Sequence, residues 1–89
     1  MSTTDPELER LREQVTDVDT SIVNAFNRRL ELVAQIKRHK DEQGIDFVDP
    51  ERERSMFDDQ LRRNPGPLSD DGLRTLYAEV LALTKRELG

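Results

Sequence analysis

The chain has 89 residues, no cysteine, one histidine and a net charge of −5, with 34% apolar and 37% charged residues. That length holds one small domain. The lack of thiols excludes a disulfide staple or a thiolate metal site, and the acidic balance argues against a general nucleic-acid role.

No apolar run nears the roughly 18–20 residues that span a bilayer. The first twenty residues carry charges throughout and have no apolar signal core. The expectation is a cytoplasmic chain without membrane contact. Leu, Ile, Val and Phe make up about a quarter of the sequence, above the level at which disorder is the default. The core is thin, and a short chain with a thin core commonly gains stability from a second chain.

Three segments have helical period. The first runs from about Asp5 to Gln43, with Asp5 as N-cap and Pro6 as first helical residue. Leu8, Leu11, Val15, Val18, Ile22 and Ala25 alternate in steps of three and four, which is a heptad seam. Its continuation falls on Arg29, Leu32, Ile36 and His39, so an arginine interrupts it. Gly44 is the expected stop. The second segment spans about 49–63, capped by Asp49 and Pro50, with a weak stripe of Met56, Phe57 and Leu61. Asn64-Pro65-Gly66-Pro67 breaks it. The third covers about 69–88, from a Ser69 cap through Leu73, Leu76, Tyr77, Val80, Leu81 and Leu88, with Thr84 inside the stripe.

The first helix should be roughly 57 Å long. A compact monomer of this size has a radius of gyration near 12 Å and a width of roughly 30 Å. About half of the seam would then overhang into water. Pairing two long helices across a two-fold axis buries it on both. The alternative is a helix broken near Arg28 or Arg29 into a three- or four-helix monomer, which no Gly or Pro between 7 and 43 supports.

A charge at a seam position is costly unless paired. Arg29 therefore either forms a buried ion pair with a carboxylate on another helix or holds an anionic ligand. Lys40 lies eleven residues on, within about 20° of the same face and roughly 16 Å along the axis. Together the two could grip a small dianion. Arg12 lies about 25 Å from Arg29 and about 100° round the helix. It cannot serve the same ligand within one chain, but an antiparallel partner could bring it there. Singly, Lys40 and Arg12 also read as solvated helix surface.

Asp49, Arg52 and Glu53 cluster at the start of the second helix. An acceptor there could bind a hydroxyl on an anionic ligand; ordinary capping also explains Asp49. Thr84 is a lone hydroxyl in an apolar stripe, a pattern also met when Thr bonds a carbonyl one turn earlier. His39, with no second ligand at metal spacing, reads as a partly buried packing residue. Covalent, metal and redox catalysis lack their parts, so neither a metal nor a cofactor is expected. An enzyme built from these residues would work by holding and electrostatically stabilising a reacting anion.

Leu11-Arg12, Val18-Asp19, Asn27-Arg28-Arg29 with Glu31-Leu32, Lys40, and Asp49-Pro50-Glu51-Arg52-Glu53-Arg54 resemble the all-helical class of chorismate mutases. The likeness covers almost the whole chain. Its most specific parts are the Arg29–Lys40 interval and the acidic-Arg-Glu-Arg start of the second helix.

The resemblance implies a single all-α domain over 1–89, with long, short and medium helices in an intertwined homodimer. It implies conversion of chorismate to prephenate by Claisen rearrangement, on the route to phenylalanine and tyrosine. Arg29 would bind one carboxylate, and Arg12 of the other chain the second. Lys40 would donate to the ether oxygen. Glu53, helped by the backbone at Asp49, would accept from the ring hydroxyl. Arg52 would sit at the pocket edge, and Thr84 near a carboxylate.

One departure stands out. The family usually has Gln or Glu about one turn after the hydroxyl residue, reaching the ether oxygen. The four-residue spacing here gives Leu88, and Glu87 is one residue early. A protonated Glu87 would have to substitute, or turnover would be low. Some small members are activated by the enzyme that opens the shikimate pathway, and the short Thr84–Gly89 end admits such a synthase as partner. The alternatives on the same fold are an isochorismate pyruvate lyase and an aminodeoxychorismate mutase. A non-catalytic helical module that binds a shikimate-pathway enzyme is the alternative from another class.

Overall fold

The computed structural model describes residues 5–89. Asp5 opens α1 (Pro6–Gln43, 38 residues). Its carboxylate accepts from the backbone N–H groups of Glu7 and Leu8 at 3.0 and 3.3 Å, donors that a helix start otherwise leaves unpaired. Asp49 does the same for α2 (Pro50–Arg63), accepting from Arg52 N–H at 3.1 Å. Ser69 does so for α3 (Asp70–Leu88), accepting from Gly72 N–H at 3.0 Å.

The stop of α1 is Gly44, at φ 67°. In that left-handed turn the Gly44 and Ile45 N–H groups close onto the carbonyls of Asp41 and Lys40. The reversal carries Phe47 back beneath the last turns of α1, where its carbonyl accepts from Lys40 Nζ at 3.2 Å.

α3 is the central element. It packs on both α1 and α2, while α1 and α2 do not pack on each other. Leu73 and Thr84 on α3 are the buried residues among those described. Phe57 of α2 meets Tyr77 of α3 edge to face, with ring centres 5.4 Å apart. Leu76 of the expected α3 stripe stays exposed.

The stripe of α1 that leans on the rest of the chain is Phe26, Leu30, Val33, Lys37 and Lys40, all half-buried. The expected seam ran one residue earlier. Leu32, Ile36 and His39 are exposed within the single chain, which corrects the reading of His39 as a packing residue. α3 approaches a face about 100° round from the seam, the turn made by one residue of helix. α1 therefore carries two apolar faces, one for its own chain and one left open.

The three helices form a long, thin body of 64 × 25 × 18 Å with a radius of gyration of 17.8 Å, against about 12 Å for a compact chain of this length. Residues 5–25 are exposed throughout. Val15, Val18 and Ile22 are 58–60% exposed. Among the described residues no helix is long and apolar enough to cross a membrane.

Candidate active site

Because α1 and α2 meet only through α3, a cavity of about 800 Å³ opens between them, within the usual range for small-molecule sites. Its walls are the last four turns of α1, the 47–49 return, the first two turns of α2 and the end of α3. Five cationic side chains line it (Arg29, Lys37, Lys40, Arg52 and Lys85) against two acidic ones, Asp49 and Glu53. A chain with net charge −5 has thus gathered local positive charge around one concavity. Val33, Ile36, Met56, Leu81 and Leu88 supply the apolar wall.

Arg29 is half-buried and donates from Nη1 to Thr84 Oγ1 at 2.7 Å. Thr84 in turn donates to the Val80 carbonyl at 2.6 Å. The carbonyl bond expected of a helical Thr therefore forms, and the hydroxyl also accepts from Arg29. Among the described residues Arg29 pairs with no carboxylate, so the ion-pair alternative is not realised within the chain. The charge of Arg29 stays unneutralised at the cavity wall, which is the condition for taking an anion.

Of the residues singled out from sequence, Arg29, Lys40, Asp49, Arg52, Glu53 and Thr84 line this one cavity. Arg12 does not. It lies on the overhanging half of α1, 3.6 Å from Glu9. Glu87 is exposed and off the cavity face, and Leu88 and Gly89 line it instead. The reason is helical phase. Leu81, Thr84, Lys85 and Leu88 share an arc of about 100°, and Glu87 lies about 110° from its centre. Glu87 therefore does not line this cavity. Glu53 is not free either: its carboxylate faces Lys85 Nζ at 3.3 Å.

Sequence reasoning missed Lys37, Phe47 and Lys85. Lys37 Nζ donates to the Leu88 carbonyl at 2.9 Å, tying the end of α3 to α1. A signal for Lys37 existed, since it lies one turn before Lys40 and shares its face. Phe47 had none: it sits in an irregular return whose path no periodicity reports.

The family profile described as chorismate mutase type II matches residues 11–87. The T-protein of Enterobacter agglomerans is 35% identical over 78 residues, covering 82% of this chain and 21% of the relative. The bifunctional chorismate mutase/prephenate dehydratase of Aquifex aeolicus is 30% identical, covering 85% of this chain and 22% of the relative. The chain thus spans about a fifth of the length of these curated relatives. Two solved forms of chorismate mutase from Thermus thermophilus each superpose with a TM-score of 0.84. Form I is 32% identical and covers 88% of this chain and 98% of its own; form II is 31% identical and covers 90% and 91%. With its profile match over almost the full length, its three-helix fold and its cation-lined cavity, this chain belongs to the chorismate mutase type II family.

Proposed function

We propose that the chain forms a single chorismate mutase domain, works as a cytoplasmic homodimer and converts chorismate to prephenate. The observation that carries this is the convergence of Arg29, Lys40 and Arg52 with the acceptors Asp49 and Glu53 on one cavity. Chorismate presents two carboxylates, a hydroxyl and a breaking ether bond, and this set of side chains matches those groups in kind. The rearrangement is intramolecular: the ether C–O bond breaks and a C–C bond forms, with no proton or electron supplied from outside. The protein has only to hold the reactive conformer and stabilise growing negative charge.

In this reading Arg29, oriented by Thr84, takes one carboxylate. Arg12 of a second chain takes the other. Lys40 donates to the ether oxygen, Glu53 accepts from the ring hydroxyl beside the Asp49 backbone, and Arg52 guards the rim. The exposed seam on the far half of α1 supports the dimer, because a second copy would cover Val15, Val18 and Ile22 and deliver its own Arg12. A synthase of the same pathway is the second partner proposed. The fused mutase and dehydratase of the Aquifex aeolicus relative supports such coupling between neighbouring activities.

The test is to incubate the purified chain with chorismate, isochorismate and aminodeoxychorismate and identify each product. Prephenate from chorismate is expected. Release of pyruvate from isochorismate, or faster turnover of the amino substrate, would replace this reading with the lyase or the amino-mutase. No turnover of any of the three, combined with tight binding to a pathway enzyme, would leave a binding module. Titrating the synthase into the assay with no change in kcat/KM would remove that partner.

A further inference from the structure

The carboxylates of the cavity are confined to the start of α2, where Arg52 and Lys85 stand among them. They are Asp49 and Glu53, and Glu53 is answered by Lys85. Another part of the wall is built from Phe47, Leu88 and the ammonium groups of Lys37 and Lys40. Both ammoniums lie over the same ring, 5.7 and 5.9 Å from the Phe47 centre. Each donates to a backbone carbonyl, Lys37 to Leu88 at 2.9 Å and Lys40 to Phe47 at 3.2 Å. Neither is paired with a carboxylate among the described residues. A Lys ammonium has three donors, so each keeps two after that bond.

This arrangement makes Lys37 and Lys40 near-equivalents. They sit one turn apart on one face of α1, both half-buried, both anchored by a carbonyl and a π face. Leu88, beside them, has a side chain with no donor. A positive charge held in a partly desolvated wall by neutral partners is well placed to stabilise negative charge that appears only during reaction.

We infer that Lys37 is a further catalytic residue, a second cationic donor that shares with Lys40 the negative charge growing on the ether oxygen. The inference rests on the chorismate mutase reading above. As the C–O bond lengthens, its electron pair collects on oxygen, and an ammonium at hydrogen-bonding distance stabilises that oxygen without giving up its proton. The bond to Leu88 holds Lys37 Nζ at the wall beforehand, so little reorganisation is needed when charge develops.

The experiment is steady-state kinetics on chorismate for wild type, Lys37→Gln, Lys37→Met and Lys37→Arg, with circular dichroism and sedimentation on each. Gln retains a donor but removes the charge. Met removes both and serves as the second neutral variant should Gln fail to fold. A group that acts only in the transition state should show in kcat and kcat/KM alike. The expected result is a loss of about tenfold to a hundredfold in kcat for the folded neutral variants, KM within about twofold of wild type, and recovery of most of the rate in Lys37→Arg. A folded neutral variant that keeps wild-type kcat would overturn the inference, as would one that raises only KM. An active wild type with an active Lys37→Gln sinks this role alone. A wild type that leaves chorismate unchanged sinks the parent reading with it.

Discussion

Residues 26–40 of α1 lean on α3 and line the cavity, while residues 8–23 of the same unbroken helix carry a comparable apolar stripe and stay in water. Phe26, Leu30 and Val33 are half-buried by their own chain; Val15, Val18 and Ile22 are 58–60% exposed. Nothing in the local chemistry of the two stretches explains the contrast. Both are capped into one helix, and both repeat hydrophobes at spacings of three and four. The difference lies in reach. Two short helices of 14 and 19 residues can cover only part of a 38-residue one. An apolar seam thus announces that something must cover it, and the lengths of the other elements decide whether that cover can come from the same chain.

The sharpest way to break the comparison is to disable one half at a time. Arg29→Ala, in the folded half, should lower kcat/KM by about a thousandfold or more and leave the oligomeric state unchanged. Arg12→Ala, in the open half, should cost a similar factor. Mixing the two variants should restore part of the rate, because a mixed pair in the proposed dimer would hold one complete site. Failure to regain activity after confirmed subunit exchange would separate the two halves for good.

Val18→Asp asks whether the open half is an interface at all. A carboxylate driven into a closed seam is costly, so sedimentation should show the dimer lost and activity lost with it. An unchanged oligomeric state would mean that this stripe is merely solvated.

Thr84→Val keeps shape and removes the acceptor for Arg29. Losing one charge-assisted hydrogen bond should cost roughly tenfold in kcat/KM, with Thr84→Ser restoring most of it. Full activity in the Val variant would show that Arg29 is oriented by other means.

Gly44→Ala probes the turn that returns Phe47 to the cavity. An added Cβ meets no atom within 4 Å, so the cost comes from the left-handed backbone alone, about 1 kcal/mol. A chemical-denaturation series would detect it, and no loss would indicate that the turn relaxes.

Much of this fold is readable from the chain alone. Asp5-Pro6, Asp49-Pro50 and Ser69 announce helix starts through local chemistry that tertiary context did not need to alter. Arg29 is conspicuous because it breaks an apolar pattern. What cannot be read is phase. The stripe that meets α3 is displaced by one residue from the seam, which turns Lys37 inward and leaves Ile36 and His39 exposed. The same sensitivity turns Glu87 off the cavity wall and puts Leu88 there. Phe47 depends on the path of an irregular return, for which composition carries no code. Such one-residue choices are settled by how whole helices dock, and sequence spacing alone does not report the docking angle.

On the proposed homodimer, the overhang of α1 would also make dilution a form of denaturation. If half of that helix is sheltered only by another copy, mass action ties the melting temperature and the specific activity to the amount of protein present. A cell making little of this chain would hold much of it in an incomplete state. Flux would then climb faster than in proportion to the amount made.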